Sequence, residues 1–186
     1  MPRKLGALAL VLAVAATAHA QTDKTARPAA APVAPTLPAE GKKFVAGWIG
    51  QWTSNDATFT SGGQKMQGRL RMACESVSSG WGALCRETAD MQGMPPSAST
   101  FLMGWDVGTG EAHMFEIADT AEVHDHSGKW IDDRSVSLVR QGRTADGKDE
   151  KDDCTATWPS ARELKLDCTG TQAGATVWTF STTMRK

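Results

Sequence analysis

Two cysteine pairs, each spaced to fall across a hairpin, constrain the folding of this 186-residue chain more than any other feature. Over residues 66–78 polar and apolar side chains alternate, with Leu70, Met72 and Cys74 on one face and Arg69, Arg71 and Glu75 on the other. Period-two alternation marks a half-buried strand. A Ser79-Gly80 turn leads to a second alternating run over residues 81–91, in which Trp81, Ala83 and Cys85 share a face. A two-residue loop there sets Cys74 directly across from Cys85, close enough for a disulfide. Later in the chain, Cys154, Ala156 and Trp158 face Leu164, Leu166 and Cys168 across a loop at residues 159–163. In each hairpin, independently, one register aligns the apolar faces and predicts a bridge: Cys74–Cys85 in the first and Cys154–Cys168 in the second. A zinc site is a weaker use of these thiols, because they lack the two-to-four-residue spacings of structural zinc motifs.

The rest of the chain reads the same way. A third hairpin over residues 99–118, turning at Gly108-Thr109-Gly110, is expected to set Phe101 against Ile117, Met103 against Phe115 and Trp105 against His113. Further strands are expected over residues 121–126, 130–140 and 176–184. The Asp-rich stretch 145–153 reads as a solvated loop without the spacing of a calcium-binding EF-hand. Helical periodicity is not evident anywhere. Eight to ten antiparallel strands joined by short turns predict an all-β fold, an up-and-down barrel in preference to a sandwich, because hairpins follow one another regularly with almost no long crossovers.

The N-terminus carries an export signature. Arg3 and Lys4 precede an apolar run that ends in Ala18-His19-Ala20, the small-x-small pattern of a signal-peptidase site. Residues 1–20 are therefore expected to be a signal peptide, and the barrel a periplasmic or secreted protein with no membrane span after cleavage. Residues 21–43 are rich in Ala and Pro, with Pro28, Pro32, Pro35 and Pro38 at short intervals, and read as an extended tether. The barrel domain is then residues 44–186. Without Arg3 and Lys4 the 20 basic residues fall to 18 against 21 acidic ones, a formal charge of −3, and no basic cluster suggests nucleic acid as a partner.

Gly50-Gln51-Trp52 resembles the Gly-x-Trp of the opening strand in calycin-type barrels. The run Phe101-Leu102-Met103-Gly104-Trp105-Asp106 resembles a bacterial lipocalin-like family of unknown function. So do Gly108-Thr109-Gly110, Phe115-Glu116 and Gly128-Lys129-Trp130, the whole likeness covering about residues 44–140. The resemblance implies a lipocalin-like barrel whose partner is a small apolar molecule held inside. Haem barrels of the nitrobindin type also open with Gly-x-Trp but need an axial histidine on a late strand, and the last histidine here is His126.

Three candidate chemistries follow. Seven tryptophans and eight methionines supply bulk for a small interior, and Phe101, Met103, Trp105, Phe115, Trp52 and Trp81 are the expected ligand-cavity walls. A solid core, leaving a structural or interaction module, is the plainer use of the same residues. No serine elbow or phosphate-cradling loop is present and the cysteines are assigned to bridges, so no catalytic residue is indicated and no cofactor is expected outright. The alternative is zinc or another divalent metal, possibly with hydrolytic chemistry, on His113, His124 and His126. A two-residue turn at Asp119-Thr120 brings those three imidazoles together. A one-residue shift, pairing Val123 with Ile117, sends His124 and His126 to the face opposite His113.

Overall fold

In the computed structural model, residues 35–120, 122–144 and 146–186 are described. The expected signal peptide and all but the last residues of the expected tether lie outside the described residues. The helix α1 (Ala39–Trp48) is followed by ten strands: β1 (Gly50–Ser61), β2 (Gln64–Val77), β3 (Gly82–Met91), β4 (Ser97–Asp106) and β5 (Glu111–Ala118), then β6 (Val123–Gly128), β7 (Ser135–Arg143), β8 (Asp149–Ser160), β9 (Glu163–Gln172) and β10 (Ala175–Arg185). Each strand pairs antiparallel with its chain neighbours, and β1 pairs with β10, so the sheet closes into an up-and-down barrel. No helix among the described residues is long and apolar enough to cross a membrane.

Both disulfides form as expected, Cys74–Cys85 across β2 and β3 and Cys154–Cys168 across β8 and β9, with Cα atoms 4.0 Å apart in each. Their register also turns Leu70, Met72, Ala156 and Leu164 into the core. The β8–β9 loop is shorter than expected. The strands run to Ser160 and from Glu163, and an irregularity after Thr157 takes Trp158 out of register with β9, while on the β7 side its amide donates to the Arg134 carbonyl.

Helix α1 corrects the expected boundary at residue 43 and the expected lack of helix. Gly41, Phe44, Val45 and Trp48 recur at helical spacing and are all buried. The helix lies at the barrel end where the even-numbered strands finish, packed on Trp105 and Trp158. Phe44 meets both rings, at 6.3 and 6.4 Å between centroids, and Trp48 meets Trp158 edge-on at 5.3 Å. The last carbonyls of a helix lack intrahelical donors. Here indoles supply them: Trp158 Nε1 donates to the Gly47 carbonyl at 3.0 Å and Trp52 Nε1 to the Trp48 carbonyl at 2.6 Å. Glycine is required at position 47, since a Cβ would come within 2.9 Å of the Trp158 ring.

One turn differs from expectation by a residue, and a second takes the shifted one of its two expected registers. Asp106 Oδ1 accepts from the Gly108 amide at 2.7 Å and the Asp106 carbonyl from Gly110, so the β4–β5 turn begins a residue early and Asp106 pairs with Glu111. Asp119 is bound to Ala98 through both its amide and its carboxylate, which lengthens the β5–β6 turn and pairs Ile117 with Val123. As a consequence Ala112, Met114 and Glu116 of β5 point inward, and His113, Phe115 and Ile117 point outward.

Replacing Cys154 and Cys168 together by alanine is expected to lower unfolding free energy by about 2–3 kcal/mol, the loop-closure contribution of a short bridge. Urea unfolding of the double variant checks this, and an unchanged midpoint would show that the bridge contributes nothing to stability.

Candidate functional site

The barrel interior is not filled. A cavity of about 380 Å³ lies within it, with Trp48 of α1 among its walls and Glu122 and Thr144, from the turns at the far end, also lining it. One part of the wall is apolar: Phe59, Met72, Phe101, Met103, Met114 and Phe180. The other part carries Glu87, Glu116, Glu122, His124, His126, Glu150 and Asp152. Of the expected ligand-cavity residues, Phe101 and Met103 line this space. Trp105 and Trp52 instead support α1, while Trp81 and Phe115 lie at a shallow depression on the outer face.

The polar wall is organised by β5, β6, β7 and β8. His124 and His126 alternate along β6 and both face inward, opposite Glu116 and Met114 of β5. β6 pairs with β5 over six residues, but with β7 only at Ser127 and Val139, so the strand bearing both histidines is held mainly from one side. From β8, Asp152 reaches the same place and is 1% exposed. Single ligand atoms of His124, His126 and Asp152 all lie within 4.8 Å of one another. This cluster corrects the expectation that no cofactor would be indicated. It also corrects the expected trio, since His113 lies on the outer face, 3.7 Å from Asp125, and does not join the other two histidines. The Asp-rich stretch is corrected as well, because β8 begins at Asp149 and Asp152 is among the most buried side chains.

The surrounding charges set the state of each group. Arg140 on β7 donates to Asp152 Oδ2 at 2.6 Å and reaches Glu150 at 3.4 Å. Gln172 Nε2 donates to the other oxygen of Glu150 at 3.1 Å. His126 Nε2 lies 3.8 Å from Asp152 Oδ2. Burial lowers the His126 pKa, against the pull of Asp152, and so favours the neutral imidazole. His124 moves the other way: Glu116, 3.6 Å from its Nδ1, raises it despite burial. Burial works to raise Glu116, but its contacts with His124 and Ser99 outweigh that and hold it below the ordinary carboxylate range. Glu87 has no such partner. Its small accessible surface opens onto the lumen, and burial together with the nearby Glu116 pushes its pKa up to about 8.

Two buried polar atoms in this wall, His126 Nδ1 and Asp152 Oδ1, have no hydrogen-bond partner. A buried donor or acceptor left unmade costs about 1–3 kcal/mol, so the pair marks a place that something polar should fill. Two imidazoles and a carboxylate are a donor set that suits a borderline divalent ion and leaves coordination positions open. The residues present therefore fit a metal.

Asp152, Arg140, Glu116 and Glu87 were missed in the sequence. The signal was there for two of them: the alternation that turns Cys85 and Cys154 inward, continued by two residues, reaches Glu87 and Asp152.

The closed ten-stranded barrel is consistent with calycin-type barrels in general terms. No protein-family model and no curated protein matches the chain, so the narrower resemblance to the bacterial lipocalin-like family gains no support.

Glu87 gives a pH test. A carboxyl whose folded pKa of about 8 exceeds its ordinary 4.5 binds more protons folded than unfolded in between, so it costs stability increasingly as pH rises through that window. Glu87→Gln is expected to raise the Tm above pH 8 and to leave it unchanged near pH 4. Equal Tm differences at both ends would contradict the assignment.

Proposed function

We propose that the lumen binds a divalent metal ion through His124, His126 and Asp152. The observation that carries this reading is the pair of orphaned, buried atoms, His126 Nδ1 and Asp152 Oδ1, within a cluster whose ligand atoms lie within 4.8 Å of one another. Burial that keeps His126 neutral supports it, since a metal binds the free imidazole. Carboxylates supply the compensating charge: Glu116, Glu122, Glu150 and Asp152 face the cavity, and Arg140 pairs with only two of them. Zinc is the simplest probe. Titration of the tag-free protein with Zn²⁺ is expected to show one site, weakened well beyond about tenfold by His126→Ala or Asp152→Asn and unaffected by His113→Ala. Equal affinity in all three variants, or no binding at all, would overturn the reading.

A second reading rests on the apolar wall. We propose that a small, largely apolar molecule occupies the roughly 380 Å³ space against Phe59, Phe101 and Phe180. Trp48 also lines that space, and its Nε1 is buried without an acceptor, so the molecule would carry one acceptor group at that end. A solvent-sensitive dye that gains fluorescence in the wild type and loses it when Phe101→Arg fills the lumen would support this. A dye response indifferent to that change would count against it.

Export belongs to the same proposal. Two disulfides and no free cysteine among the described residues suit an oxidising compartment. Residues 1–20 would be the signal peptide, and a Pro-rich tether would follow it up to about the buried Leu37 that precedes α1.

A further inference from the structure

The donor chemistry of the lumen does not stop at nitrogen and oxygen. Met103 of β4 pairs with Met114 of β5, and Met114 pairs with His126 of β6. Residues opposite one another in antiparallel strands carry Cβ atoms about 4.5–5.5 Å apart. Two thioethers and an imidazole therefore take three consecutive places in one row around the wall. All three are buried, and all three line the same cavity. Met72 and Met184 add two more thioethers to that lining from β2 and β10. Methionine is ordinarily a filler of irregular cores. Here the side chains stand around a space instead of closing it, and the imidazole at the end of the row has an unpartnered Nδ1.

We propose that the metal of this lumen is copper, and that the cuprous ion is held by His126 together with the thioethers of Met114 and Met103. The proposal rests on the metal-binding reading above and goes further, to the identity of the ion. Thioethers are soft ligands that select Cu(I), whereas zinc takes imidazole, thiolate and carboxylate. Every cysteine is bridged, so thioether is the soft donor the lumen has to offer.

The test uses the full tag-free chain under anaerobic conditions, with Cu(I) supplied from a chromogenic chelator and Zn²⁺ titrated in parallel. One Cu(I) is expected to bind with sulphur scattering in its X-ray absorption spectrum. Met114→Leu and Met103→Leu are volume-conserving changes that should keep the fold. Each is expected to weaken Cu(I) at least about tenfold while leaving Zn²⁺ affinity unchanged. Cu(I) bound equally well by the leucine variants, or bound without sulphur scattering, would overturn the assignment. If Zn²⁺ binds through His126 but the wild type takes up no Cu(I), copper fails and the metal-binding reading stands. If neither ion binds, both fail.

Discussion

Which face of β5 meets the lumen is decided at two turns, and the candidate site depends on that choice. In an antiparallel ladder a one-residue slip exchanges every inward side chain for its neighbour. Asp106 starts the β4–β5 turn by accepting from the Gly108 amide, and Asp119 ties the β5–β6 turn to Ala98. Together they send Met114 and Glu116 inward, opposite His126 and His124. The two slips offset one another for β6, whose histidines face inward in either case, but they invert β5 between its neighbours. Two turn aspartates on the surface thus determine the chemistry of a buried wall.

The lumen itself is a compromise between packing and charge. A barrel whose floor is closed by α1 and whose walls carry Met, Phe and Trp would be expected to fill completely. Instead five carboxylates face the cavity against one guanidinium and two imidazoles. Arg140 with Asp152 and Glu150, and Glu116 with His124, account for part of that charge. Glu87 has no partner and is displaced furthest toward its neutral form. Together with the orphaned atoms of His126 and Asp152, the remaining carboxylates make a wall capable of ligating a metal, which is what the proposed site rests on.

The strand count, the barrel class and both disulfides were legible because cysteine pairing and alternation test each other. Helix α1 was hidden by composition: Pro38 precedes it and Gly41 and Gly47 weaken it, although Phe44, Val45 and Trp48 carry the helical spacing. Those glycines make sense only in tertiary terms, since each lies against a tryptophan ring that a Cβ would strike. Alternation put His124 and His126 on one face but left two β5–β6 registers open, and the structure takes the one that separates His113 from them. Asp152 was lost because a run of acidic residues reads as solvent-facing until the alternation from Cys154 is carried back into it.

The site requires that His124 and His126 share the lumen with Asp152 while His113 stands outside. Imidazole nitrogen resonances of the ¹⁵N-labelled protein, recorded before and after one equivalent of Zn²⁺, test it most directly. Two of the described histidines, assigned by His→Gln replacement to positions 124 and 126, should shift to metal-bound values while His113 keeps its free-state resonances. A shift at His113 together with either of the others would contradict the register on which the site is built.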